Sequence, residues 1–332
     1  MKPLRWGVLG AASFAHQQMA PAIQVAKGAE LAALATSDPA KAAGFAAFAP
    51  GIAVHESYDA LLADPSIDAV YIPLPNHLHV DWTTKALEAG KHVLCEKPIA
   101  MAASDFDRLI AAREASGKLA AEAFMIVHHP QLIRARELVQ GGAIGRLVHV
   151  DAVFSFFNDD ASNIRNRPDA GGGGLRDIGV YTFGAARFVT GQEPERITHA
   201  KLRFDNDVDV FAQVAADFPD FSYAAVVSMR MFPHQGITFF GEKGVLRLTC
   251  PFNANVFDLA ALTLETDTGS VVTERWPATN HYVLQVENFC KSVQTGAAYP
   301  CPLEFSRGTQ HMMDMVFTAS RAQVGGDNGQ GS

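Results

Sequence analysis

Strand-like and helix-like segments alternate along the first 125 residues, and this alternation limits the fold more than any other feature of the chain. Residues 5–10, Arg-Trp-Gly-Val-Leu-Gly, read as a short buried strand ending in glycine. A helical stretch follows over 14–27, with Pro21 expected to kink it or remove one backbone bond. Then come strand 30–36, a helix from Pro39 to Phe48, strand 68–72, helix 77–89, strand 92–95, helix 103–116 and strand 120–125. Such alternation builds right-handed βαβ units on a parallel sheet. Residues 1–125 are therefore expected to form a doubly wound α/β domain.

The pattern changes after about residue 145. Segments 147–157, 196–205, 208–217, 222–230, 235–241, 244–249 and 255–264 are strand-like and joined by short turns. They predict a large, open, mostly antiparallel sheet. Helices are expected at 176–190, behind the glycine run 171–174, and at 281–295 and 304–322. The chain thus divides into 1–125, an α+β domain over 126–325, and a flexible tail, 326–332.

Composition narrows the function. Hydrophobic residues make up 48% and charged residues 19%, enough for a large core. Lys+Arg is 27 against Asp+Glu 35, a net charge of −8, which disfavours nucleic acid and anionic membranes as partners. No stretch approaches the ~20 apolar residues that span a bilayer. The first residues show no signal-peptide pattern, and Cys95, Cys250, Cys290 and Cys301 are scattered, so a reducing, cytoplasmic setting is expected. His77 and His79 lack a third ligand of matching context, and no metal site is expected.

The first strand runs into Gly10-Ala11-Ala12-Ser13-Phe14-Ala15, a degenerate G-x-G-x-x-G. Gly10 suits the tight turn, Ala12 lets backbone approach a pyrophosphate, and Ala15 lets the helix lie close to the sheet. At the end of the second strand, where NAD-binding chains place an acidic residue, stand Thr36 and Ser37, with Asp38 next and Lys41 one turn on. A hydroxyl pair with a nearby cation favours a 2′-phosphate, so NADP is the expected cofactor and NAD the alternative.

Three further motifs, Tyr71-Ile-Pro-Leu-Pro-Asn-His-Leu-His79, Cys95-Glu-Lys-Pro98 and Gly171-Gly-Gly-Gly-Leu-Arg-Asp-Ile-Gly-Val-Tyr181, occur in this order. The chain carrying them resembles the Gfo/Idh/MocA oxidoreductases over nearly its whole length. Tyr181, where many members have histidine, resembles the branch holding glucose–fructose oxidoreductase, dihydrodiol dehydrogenase and some aldose dehydrogenases. The resemblance implies a Rossmann domain with Pro75, Asn76, His79, Glu96, Lys97 and Arg165 beside the cofactor. It implies a catalytic set of Lys97, Asp177 and Tyr181, and Pro98 is often cis in relatives. Arg176 departs from the small or apolar residues usual there and is a candidate substrate contact.

Elementary chemistry fits these roles. Lys97 follows a buried strand at the sheet edge where ligands bind, and its ammonium can hold an oxygen that gains charge. Asp177 and Tyr181, four apart, share one helix face, and a phenol can carry a proton to or from a sugar oxygen. Four glycines beside this turn predict backbone approaching a ligand. The expected reaction is hydride transfer between nicotinamide C4 and a sugar or cyclic polyol, as in aldose C1 oxidation or its reverse. Alternatives are an aldose–aldose oxidoreductase holding NADP(H) tightly, an anhydro-sugar or dicarbonyl reductase, and a non-catalytic nucleotide sensor. A homodimer or dimer of dimers through the C-terminal sheet is expected.

Overall fold

Trp6 to Leu9 of strand β1 (Leu4–Leu9) are all buried, which requires a neighbour on each side and cover on both faces. In the computed structural model, which describes residues 2–327, β1 lies between β2 (Ala29–Ala35) and β4 (Ala69–Ile72). The full order is β3-β2-β1-β4-β5-β6, with β3 at Ala53–His55, β5 at His92–Glu96 and β6 at Ala120–Ala123, and every pairing is parallel. The winding reverses between β1 and β4, so a crevice opens at the C-terminal edge there. β3 has no counterpart in the sequence reading, because three residues with two exposed carry no strand period.

The first unit is not continuous. Met1–His128 is joined by His281–Arg307, which the sequence reading grouped with the C-terminal half. The helix His281–Thr295 packs the Phe289 ring on Trp6, centroids 5.0 Å apart, and Arg113 holds Glu304 with two bonds of 3.0 and 2.8 Å. An amphipathic helix shows which of its faces is apolar but not which sheet it will cover.

The second unit, His129–Asn280 with the chain from Gly308 on, holds an eight-stranded sheet. Its strands are β7 (Leu147–Phe157), β8 (Arg196–Asp205), β9 (Val208–Asp217), β10 (Ser222–Ser228), β11 (Arg230–Gly241), β12 (Gly244–Thr249), β13 (Ala261–Thr266) and β14 (Val271–Arg275). The order is β14-β13-β12-β11-β7-β10-β9-β8, antiparallel except where β10 runs parallel to β7. Every residue from Val180 to Val189 of the helix Val180–Thr190 is buried. Val150, Ala152 and Phe154 of β7 and Tyr223, Ala225 and Val227 of β10 form a buried face.

Some elements depart from the sequence expectations. The helix Pro130–Gln140 has no counterpart in the sequence expectations; proline occupies its first turn and His129 caps it by accepting the Gln131 N–H. His128 and His129 are both buried, and burial lowers their pKa values to about 3 and about 4. The last helix, Leu303–Asp327, reaches two residues into the expected tail, and 328–332 lie outside the described residues. No helix among the described residues is long and apolar enough to cross a membrane.

Candidate functional site

Gly10, with φ +108, turns the chain out of β1. A Cβ there would stand 3.1 Å from Leu74 Cδ2 and 3.2 Å from the Tyr58 hydroxyl, so both the turn and the space require glycine. Beyond it the helical stretch runs through a π turn, Ala15–Met19, into the α-helix Ala20–Val25, where Pro21 follows the π turn. Gly10, Ala11 and Ala12 line a cleft of about 510 Å³ together with Thr36, Ser37 and Lys41 from the end of β2. Ser13 and Phe14 follow on the exposed side, and the Phe14 ring meets Tyr282 edge-on at 5.7 Å.

Asp38 lines the same cleft, and one of its carboxylate oxygens, Oδ1, is already engaged. It caps the helix Pro39–Ala46, accepting the N–H groups of Ala40 at 2.9 Å and Lys41 at 3.3 Å. A carboxylate serving as a cap has less capacity for ribose hydroxyls. Glu56, Tyr58 and Trp82 also line the cleft, with Tyr58 and Trp82 in edge-to-face contact at 4.9 Å. No motif pointed to these three residues, because they come from separate loops and helices.

Pro75 also lines this cleft, whereas Asn76 borders a smaller hollow of about 260 Å³ with His77 and Arg108. His79, expected beside the cofactor, is wholly buried. Its Nδ1 and Nε2 lie 2.8 and 2.7 Å from the carbonyl oxygens of Pro98 and Leu74, so the ring braces two loops against each other. Burial lowers its pKa to about 4, against the pull of the two carbonyl oxygens, which favour the doubly protonated ring.

Glu96 and Lys97 leave the C-terminal end of β5, and the Lys97–Pro98 peptide is cis. Burial raises the Glu96 pKa against the pull of Lys97 and of the Tyr71 hydroxyl, which donates to Glu96 Oε1 at 2.7 Å. Tyr71 is wholly buried and its pKa lies well above the ordinary value, so it stays a donor. In sequence it reads only as a core strand residue.

In the second unit, Asp177 lies in a π turn, Leu175–Gly179, that opens the helix carrying Tyr181. Tyr181 is 5% exposed and packs on Phe154 and Phe252, at 5.6 and 6.0 Å. Arg165, expected beside the cofactor, places Nε 2.6 Å from Asp177 Oδ2 and so fixes that carboxylate. Arg176, a candidate substrate contact, lies over the Phe317 ring at 5.4 Å and faces Asp209 and Asp314. The glycine run has internal reasons. A Cβ on Gly172 would stand 2.5 Å from the Arg165 carbonyl oxygen, and one on Gly173 2.2 Å from Asp209 Oδ1. The backbone approaches this protein's own groups there. Among the described residues, no group of three or more His, Cys, Asp or Glu is arranged to hold a metal ion.

Known proteins match both parts of the chain. Residues 4–124 match the family described as oxidoreductases with an NAD-binding Rossmann fold, and residues 132–247 match the Gfo/Idh/MocA C-terminal domain. An uncharacterized oxidoreductase of Rhizobium meliloti is 38% identical, with 95% of this chain and 96% of that protein covered. D-xylose 1-dehydrogenase (NADP(+)) 2 of Haloferax volcanii is 36% identical, with coverage of 96% and 97%. Among solved structures, the 3-ketoreductase KijD10 of Actinomadura kijaniata, in complex with NADP and TDP-benzene, superposes with a TM-score of 0.88 at 30% identity, covering 96% of this chain and 98% of that one.

Proposed function

The chain belongs to the Gfo/Idh/MocA family of oxidoreductases, and we propose that it transfers a hydride between NADP(H) and a sugar-like substrate at a carbon bearing a hydroxyl or a carbonyl. The observation that carries the reading is the cleft at the β1/β4 switch point, where a glycine turn, two hydroxyls and a cation meet while one oxygen of the nearby Asp38 carboxylate serves a helix cap. Gly10, Ala11 and Ala12 suit a pyrophosphate, and Thr36, Ser37 and Lys41 suit a 2′-phosphate. A bound nicotinamide supplies the hydride chemistry. Lys97 holds and polarises the reacting oxygen, Tyr181 moves the proton at that oxygen, and Asp177, steadied by Arg165, holds a substrate hydroxyl.

The substrate class follows the relatives. One is a D-xylose 1-dehydrogenase and another a 3-ketoreductase solved with TDP-benzene, so aldose oxidation and ketosugar reduction are the two readings to separate. The test incubates the purified protein with NADP⁺ and a panel of aldoses including D-xylose, and with NADPH and nucleotide-linked or free ketosugars, at the reduced-nicotinamide absorbance. Turnover of neither class with either nucleotide refutes the proposal. The open face of the second sheet, where Val153, Ala224 and Val226 are only partly covered, supports self-association. Light scattering that gives a monomer at micromolar concentration refutes it. A cytoplasmic location completes the reading, and no disulfide joins any of the four buried cysteines.

A further inference from the structure

Asp209, on β9, is an acidic side chain that the proposed reaction does not use, and it is 3% exposed. Its Oδ2 accepts the N–H of Leu175 at 2.6 Å, the first residue of the π turn that opens the helix bearing Asp177 and Tyr181. No side chain local to that turn caps it. The opening N–H groups of a helix need acceptors, and a buried carboxylate at that end also answers the positive pole of the backbone dipoles.

The surrounding chain is shaped around this carboxylate. Gly173 holds φ +123, and a Cβ there would stand 2.2 Å from Asp209 Oδ1. On Gly174 a Cβ would stand 3.3 Å from the Asp209 carbonyl oxygen and 3.4 Å from Oδ2. These glycines bring the backbone close enough for a side chain from a distant strand to serve as the cap. Arg176, in the same turn and spread over Phe317, is acted on by the charges of Asp209 and of Asp314 in the last helix. The strand partner of Asp209 on β8 is Phe204, and Met229, after β10, lies against Gly174, so neither adds a charge.

We infer that Asp209 is a positioning residue: from β9 it fixes the start of the helix carrying Asp177 and Tyr181, and so sets where those two side chains point. The inference rests on the catalytic reading of Asp177 and Tyr181, but the anchor itself can be tested without activity. Burial raises the Asp209 carboxyl pKa to about 7, against the pull of the Leu175 and Gly174 N–H groups and of Arg176. A carboxyl of that kind is a full acceptor above neutral pH and a weaker one below it.

The experiment compares Asp209→Asn with wild type in the full chain. Asparagine keeps the shape and one acceptor oxygen but not the charge, and it spares the fold more than Asp209→Ala. Three readouts are taken. Hydrogen exchange of the peptide covering 173–181 should quicken by about 10-fold or more as the opening turn loosens. NADPH affinity, measured by fluorescence, should stay within about twofold, because the cleft that takes the cofactor lies in the other unit. With a turned-over substrate, kcat should fall roughly 10- to 100-fold with KM little changed, as expected of misplaced reacting groups. The acid limb of the kcat profile near pH 7 should also disappear. Unchanged exchange at 173–181 overturns the inference, as does a fall in kcat that keeps the acid limb. Tyr181→Phe, assayed in parallel, keeps the two claims apart. Full turnover in Tyr181→Phe refutes the catalytic reading, whereas a collapse there with unaltered exchange and kcat in Asp209→Asn refutes the positioning role alone.

Discussion

Tyr71→Phe removes one oxygen from the interior of the first unit and little else. The ring keeps its volume, so no cavity term enters, and the change isolates the 2.7 Å bond to Glu96. Hydrogen bonds to charged groups contribute about 1.5–3 kcal/mol, more than a neutral pair, and the acceptor is left partly buried. For a unit of this size, at about 2–4 °C per kcal/mol, that corresponds to a melting temperature lower by roughly 3–12 °C. The sign of the pH dependence follows from Glu96. Its carboxyl pKa is already raised above the ordinary 4.5 by burial, so it costs stability as pH climbs from 4.5 through the raised value. Losing the Tyr71 donor raises it further and widens that window. The melting-temperature deficit of Tyr71→Phe should therefore be small at pH 4.5 and grow toward pH 8, measured by calorimetry or circular dichroism at both. A deficit equal at the two values, or none at pH 8, would falsify the view that Glu96 is held ionised by Tyr71.

Four further outcomes are expected. Tyr181→Phe should lower turnover by roughly 10²–10⁴ with NADP affinity nearly unchanged, and near-normal turnover would assign the proton to another group. Lys41→Ala should weaken NADP by about 10-fold or more while sparing NAD, read from the two dissociation constants. Asp38→Ala should cost about 1 kcal/mol of stability through the lost cap without improving NAD binding, and a gain in NAD preference would contradict that role. His79→Ala should strip the carbonyls of Pro98 and Leu74 of their shared brace and cost about 2–4 kcal/mol, visible as a lower denaturant midpoint.

The parallel sheet was legible because its central strands are continuous apolar runs, such as Ala69–Ile72 and Val93–Cys95, closed by glycine, proline or charge. The edge strands were not. Val271–Arg275 is nearly all exposed and alternates too weakly to stand out. Of the expected site residues, those lining the first cleft owe their places to local chain geometry, the glycine turn and the end of β2, which sequence spacing encodes. His79 and Arg165 show what spacing leaves open. Their tertiary partners could not be read from spacing: the His79 ring faces the carbonyl oxygens of Pro98 and Leu74, and the Arg165 guanidinium pairs with Asp177.

Asp209 was hidden for the opposite reason. In Val208-Asp209-Val210-Phe211 it falls where strand alternation predicts a solvent-facing carboxylate, yet Val208, Asp209 and Val210 are all buried. The signal lay instead in the four glycines thirty-odd positions earlier. A glycine run states that something must come close to the backbone but not what comes. Here the close groups are the Arg165 and Arg167 carbonyl oxygens at Gly172 and the Asp209 carboxylate at Gly173 and Gly174. The run is therefore half of a pairwise condition, and the other half is an acidic residue at the start of a strand that docks against it. If that is correct, the two halves are coupled. Gly173→Ala, which drives a methyl into the carboxylate, should cost less on an Asp209→Asn background than on wild type, because the anchor it displaces is already weakened. Strictly additive losses in stability would mean that the glycine and the aspartate answer to separate constraints.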